Sequence, residues 1–169
     1  MDSTPIITTE RTNLHSPDTI TLAQVRHLDS DPEILKYITG GKTRTKPESE
    51  HWLQTRLAEY HKNGFGLMPA YLKSDNSFIG WGGLKKLDNT DHIELGYRLD
   101  KPYWGKGLAT EVAKGIVDYA KAHLAIDKLV AVTDLDNKAS QQVLTKIGFS
   151  YLSEAFYYQT HVAYFEMSL

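Results

Sequence analysis

The chain contains no cysteine. That excludes disulfides, a thiol nucleophile and any cysteine-ligated metal. It agrees with a reducing compartment, and a cytoplasmic protein is expected. Long apolar runs are missing too: no stretch approaches the ~20 residues a membrane helix needs. The opening MDSTPIITTERTNLHS lacks the basic-then-apolar pattern of a secretory signal. No run of one charge sign occurs, and the formal net charge is only −2, which argues against nucleic acid and membrane surfaces as partners. The seven histidines show no metal-binding spacing, so no metal is expected. Repeats, low-complexity tracts and linkers are absent as well. At 169 residues, one domain spanning 1–169 is expected. A chain of that size buries roughly 70% of its unfolded surface and needs no staples.

What is present is a clear change of period along the chain. PIITTERTNL alternates like a strand, and TITLAQVRHL has helical spacing. SDPEILKYI predicts a short helix capped by Ser30 or Asp31, with Pro32 in its first turn. KPESEHWLQTRLAEYHKNG predicts a longer one, with Trp52, Leu53, Leu57 and Tyr60 on one face and Gly64 as its stop. FGLMPAYLK, SFIGWGGLKKL and HIELGYRL, separated by SDNS and DNTD, predict an antiparallel meander. From Gly107, apolar residues recur every four positions to Leu124, a helix. KLVAVTDL reads as a buried strand, NKASQQVLTKIGF as a helix, and YLSEAFYYQ and HVAYFEMSL as two closing strands.

The stretch YWGKGLATE, Tyr103 to Glu111, sits at a strand-to-helix junction. A helix N-terminus carries free N–H groups and partial positive charge. Gly105 and Gly107 let those groups turn toward a phosphate, and Lys106 adds a cation. An ordinary tight turn would use the same glycines. A dinucleotide-binding fingerprint fails, because Thr110 stands where a third glycine is needed. GGKT, Gly40 to Thr43, imitates the end of a P-loop, but Lys36 occupies the position of its first glycine and no strand precedes it.

Taken together and in order, HIELGYRL, PYWGKGLATE and DLDNKASQQVLTKIGF resemble the GNAT superfamily of N-acetyltransferases, and within it the RimJ/RimL-like branch. The glycine signature aligns on Pro102 to Gly107, with Pro102 departing from the superfamily's Gln or Arg. The second pattern runs from Asn137 to Phe149. The resemblance implies an α/β GNAT fold: a mixed, mostly antiparallel sheet of about seven strands, flanked by about four helices and splayed between the fourth and fifth strands. It implies acetyl-CoA as co-substrate and a primary amine as acceptor, such as a protein N-terminus or a small amine, in a monomer or homodimer.

Site roles follow from the same resemblance. The pyrophosphate falls to Gly105, Lys106, Gly107, Leu108, Ala109 and Thr110. The pantetheine arm pairs with a strand carrying Tyr97, Arg98 and Leu99, in which Gly96 is the expected bulge. A backbone N–H there serves as oxyanion hole. Glu94 is the candidate general base, with His92 and Glu154 as alternatives; a simple ion pair of Glu94 with Arg98 or Lys85 would explain it equally. Leu144 stands where many relatives carry an acidic tyrosine, so Ser140 is the candidate donor to the leaving thiolate. Asn137 is placed beside the sulfur region, with a plain helix cap as its other reading. Lys138 and Lys146 are candidates for the phosphate-bearing end. Tyr37, Trp52, Trp81, Tyr97, Tyr157 and Tyr158 are candidates for the amine side. Without cysteine, transfer must be direct, in a ternary complex. Two other readings remain: a non-catalytic acyl-CoA sensor on the same fold, and a nucleotide-binding switch.

Overall fold

The computed structural model describes residues 4–169; the first three residues of the opening segment and of the expected domain lie outside them. The chain forms β1 (Ile7–Thr8), β2 (Thr12–Leu14), α1 (Leu22–Asp29), α2 (Lys36–Thr39), α3 (Lys46–Asn63), β3 (Leu67–Leu72), β4 (Phe78–Lys86), β5 (Ile93–Leu99), α4 (Leu108–His123), β6 (Lys128–Asp134), α5 (Lys138–Ile147), β7 (Ser150–Tyr157) and β8 (Thr160–Ser168). All eight strands join one sheet in the order β1-β2-β3-β4-β5-β6-β8-β7. Every neighbouring pair is antiparallel except β5–β6. The eighth strand arises because the first predicted strand folds back on itself between Thr8 and Thr12, pairing Ile7 with Leu14.

Local chemistry explains the helices. Thr21 with Gln24, and Thr45 with Glu48, close reciprocal capping boxes at α1 and α3. Gly64, at φ +79°, ends α3 as expected. The predicted short helix over 30–38 is displaced. The Asp31 carboxylate accepts the Glu33 N–H at 2.9 Å and its carbonyl accepts the Leu35 N–H at 3.2 Å, so Asp31 opens one helical turn, and the regular helix α2 covers only Lys36–Thr39. Ser30 belongs to the end of α1, where its hydroxyl donates to the Arg26 carbonyl. In α4 the four-residue recurrence becomes a buried stripe of Leu108, Val112, Ile116 and Ala120.

The sheet is covered on both faces. α4 and α5 cover the main core with Leu95, Leu99 and Phe165. α1 and α3 cover the other, around Trp52 and Trp81. Side chains alternate along β5: Leu95, Tyr97 and Leu99 pack on the α4/α5 face, and Glu94, Gly96 and Arg98 belong to the opposite one. Gly96 is not a bulge, because the β4–β5 ladder runs unbroken from Lys86–Ile93 to Gly80–Leu99. The irregularity lies on β4, where Ile79 is the extra residue opposite Ala70 and Tyr71. Gly80 there has φ 137°, and a Cβ would come within 2.1 Å of the Arg98 carbonyl oxygen.

One polar cluster joins α1, α3, β5 and the 40–45 loop. Asp29 is fully buried and accepts from Arg44 at 3.0 Å, Arg98 at 3.2 Å and the Ser49 hydroxyl at 2.7 Å. Arg98 lies against the rings of Trp81 and Trp52. Its own burial, then repulsion by Arg44, pulls its guanidinium down to about 10, against the opposing pull of Asp29. Removing the carboxylate leaves two desolvated guanidiniums without a counter-charge. Asp29→Ala is expected to lose about 3–5 kcal/mol of unfolding free energy in urea titration. A loss below about 1 kcal/mol would show that the cluster does not hold these elements together.

Candidate active site

β5 and β6 share a single ladder pair, Glu94–Val130. Beyond it the strands part, and the gap opens a cleft of about 2450 Å³ that reaches both faces of the sheet. That exceeds the roughly 300–1,000 Å³ of a typical one-ligand pocket, and the cleft is open to solvent. The expected splay between the fourth and fifth predicted strands is this gap.

At one end lies the α4 N-terminus. Gly107 is its N-cap, left-handed at φ +76°, and no side chain caps the helix. The first amide with an acceptor is that of Glu111, bonded to the Gly107 carbonyl at 3.1 Å. The N–H groups of Leu108, Ala109 and Thr110 have no acceptor among the described residues. Gly105 is also left-handed, at φ +71°, and a Cβ there meets nothing within 4 Å. The loop is pinned from behind by Arg11, which donates to the Lys106 carbonyl at 3.0 Å and pairs with Glu111 at 2.8 Å. Three free amides beside an open glycine loop fit a pyrophosphate. Lys106 is exposed beside this loop. Lys146 is exposed on the wall at the far end of α5.

Glu94 sits where the strands meet, only 5% exposed. Its carboxylate accepts a hydrogen bond from the Tyr158 hydroxyl and faces the Lys85 ammonium at 3.3 Å, directly across the β4–β5 ladder. The ion pair expected with Lys85 is present; Arg98 turns instead to Asp29. Tyr158 reaches Glu94 from the β7–β8 turn. Tyr158 and Gln159 are both left-handed, at φ 54° and 61°, an arrangement that usually selects glycine or asparagine. The Tyr158 N–H bonded to Asp88 at 2.6 Å and the phenol on Glu94 hold this turn in place. Burial, and then the negative charge of Glu94, push the Tyr158 phenol far above the usual tyrosine range, so it stays a donor.

On the α4/α5 face, the Tyr97 hydroxyl lies 2.8 Å from Ser140 Oγ. Burial raises the Tyr97 phenol to about 12. Two linked hydroxyls therefore stand at the start of α5, where the sequence offered one. Asn137 caps α5: its side-chain oxygen accepts the Ser140 N–H at 3.2 Å. Leu144 is buried in the core.

Other candidates separate. The Leu99 side chain lies in the core, which leaves its backbone for a ligand, and the Arg98 guanidinium gives one N–H to Asp29 while it lines the cleft. The Leu99 carbonyl already accepts from the Trp104 indole at 2.8 Å. His92 is exposed, just before β5. Glu154 pairs across the hairpin with Ala163, a residue of the α4/α5 core, and so lies on the face opposite Glu94. Tyr157 stacks on Tyr164, and Tyr37 is exposed on α2. No group of three or more potential metal ligands occurs among the described residues, and no helix among them is long and apolar enough to cross a membrane.

The family model described as "Acetyltransferase (GNAT) domain" matches residues 11–150. The Bacillus subtilis (strain 168) protein YkkB is 31% identical over 126 residues, covering 73% of this chain and 72% of that one. A solved acetyltransferase from Agrobacterium tumefaciens superposes with a TM-score of 0.84 at 23% identity, covering 99% and 96% of the two chains. RimL, the ribosomal L7/L12 alpha-N-protein acetyltransferase solved with coenzyme A, superposes with a TM-score of 0.74 at 15% identity, covering 99% and 98%. With its splayed sheet and uncapped glycine-rich helix start, this chain belongs to the GNAT acetyltransferase family, whose members use acetyl-CoA.

Proposed function

We propose that this chain transfers an acetyl group directly from acetyl-CoA to a primary amine, with Glu94 as general base. The observation that carries this is the placement of Glu94: a buried carboxylate at the one point where β5 and β6 meet, beside a cleft that begins at an uncapped helix N-terminus. The amides of Leu108, Ala109 and Thr110, with Gly105 and Gly107, hold the pyrophosphate. The unpaired edge of β5 offers its backbone to the pantetheine amides, and an N–H near Tyr97 to Leu99 receives the charge that develops on the carbonyl oxygen. Acetyl-CoA supplies the activated acyl group and a thiolate leaving group.

The acceptor arrives mostly as an ammonium, with a pKa of ~8 for an α-amine or ~10 for a side-chain type. Glu94 takes its proton, directly or through one water. Tyr158 and Lys85 hold that carboxylate in place, and Lys85 balances its charge before the proton moves. On the other face, Ser140 and Tyr97 present a hydroxyl pair that donates to the departing sulfur. Because burial lifts Tyr97 to about 12, the pair remains protonated across the working range.

Glu94→Gln keeps the shape and removes the base. At pH 7 its turnover is expected to fall about 100-fold. The deficit should narrow toward pH 9, where more of the amine is already neutral. Wild-type rates from pH 6 to 9, followed by mass spectrometry of the acetylated amine, would remove Glu94 from the role. For the cradle, Gly107→Glu should weaken acetyl-CoA binding more than tenfold, a change of over ~1.4 kcal/mol. Gly107→Asn, which tolerates the left-handed backbone, should cost much less. Equal affinity of the folded Glu variant and the wild type in calorimetric titration would contradict the cradle.

A further inference from the structure

The acceptor side of the cleft carries more positive charge than its fold requires. Lys36, Arg44, Arg56 and Arg98 line it together with Trp52 and Trp81. Asp29 is the one carboxylate shared by Arg44 and Arg98. A third guanidinium adjoins them: Arg26 donates to the Arg44 carbonyl at 2.6 Å and to Ser49 at 3.2 Å, both neutral groups. Arg56 donates from Nη2 to Glu59 at 3.1 Å, and its buried Nε has no partner. The carboxylates on this side are already engaged: Glu33 with Lys101 at 2.8 Å, Glu94 with Lys85 and Tyr158.

Desolvated surplus charge of one sign, with an unused donor, is the arrangement that recognises a carboxylate or phosphate. The strand sets the spacing. Glu94 and Arg98 share one face of β5, four residues or about 13 Å apart. Gly96 lies between them, with nothing within 4 Å of where a Cβ would stand. A substrate over Gly96 has the base on one side and the arginines on the other.

We infer that the amine accepted here carries a carboxylate or phosphate close to the reacting nitrogen, held by Arg56 and the outer faces of Arg44 and Arg98. Polycationic amines are poor acceptors, because their second ammonium meets these arginines. The inference rests on the acetyl-transfer reading and narrows its substrate. The anion has two possible sources, an acidic residue near a polypeptide N-terminus or a small amino acid or amino phosphate.

The test compares matched acceptors on the intact protein. The amidated peptides Ala-Asp-Ala-Ala and Ala-Lys-Ala-Ala form one pair, phosphoethanolamine and ethanolamine the other. The acidic member is expected to exceed its partner at least tenfold in kcat/KM, mainly through KM. A preference confined to the peptides identifies an N-terminal segment, and one confined to the small amines identifies a free metabolite. Arg56→Glu, with acetyl-CoA affinity as the folding control, should erase or reverse the preference. Equal or better acetylation of the cationic or neutral members by the wild type overturns this inference and leaves Glu94 catalysis intact. Acetyl-CoA binding with no acetylation of any acceptor overturns the transfer reading, and this inference with it.

Discussion

β5 and β6 meet at Glu94 and Val130 and then separate. A parallel pair inside a sheet normally continues its ladder, because an unpaired strand edge leaves N–H and C=O groups exposed. Here the edge is left open on both sides of the gap, and the neighbouring pairs are long enough to tolerate it: β4–β5 pairs over seven residues and β6–β8 over seven. The opening places a free backbone edge beside a helix start with no side-chain cap. Each feature alone would be a defect. Together they are the surface to which the proposed function assigns a long ligand with amides at one end and phosphates at the other.

The two faces of the gap have different electrostatics. Toward α4 and α5, beside the gap, stand the free amides, Ser140 and the buried phenol of Tyr97. Toward α1 and α3 lie the charged groups, Glu94 with its two partners and the arginines around Asp29. This division follows from the alternation of side chains along β5, which sends 94, 96 and 98 to one face and 95, 97 and 99 to the other. In the proposed reading, a single strand thus separates the thioester's surroundings from those of the amine.

Much of the fold was legible because its signals are local. The stop at Gly64, the stripe along α4 and the turns around Asn76 and Asn89 each depend on a few adjacent residues. The glycine loop and the Asn137 cap were legible for the same reason. The displaced α2 shows a local rule met but not extended: Asp31 caps a single helical turn, and the regular helix begins at Lys36. The bulge expected at Gly96 lies instead at Ile79–Gly80, because the close approach of the Arg98 carbonyl is not visible in the spacing of residues. The least legible features are those joining distant segments. Tyr158 reaches Glu94 across 64 residues, and Asp29 meets Arg98 across 69. Only the path of the β7–β8 hairpin and the packing of α1 bring these groups together.

The most direct measurement is calorimetric titration of the protein with acetyl-CoA, with ATP and NAD as controls. The account predicts micromolar binding to acetyl-CoA and none of comparable strength to either nucleotide, because the cleft offers amides for pyrophosphate and a strand edge for pantetheine. Equal affinity for all three would reduce the site to a phosphate cradle. No binding of acetyl-CoA would contradict the account at its root, because the free β5 edge and the uncapped helix would then have no ligand in common.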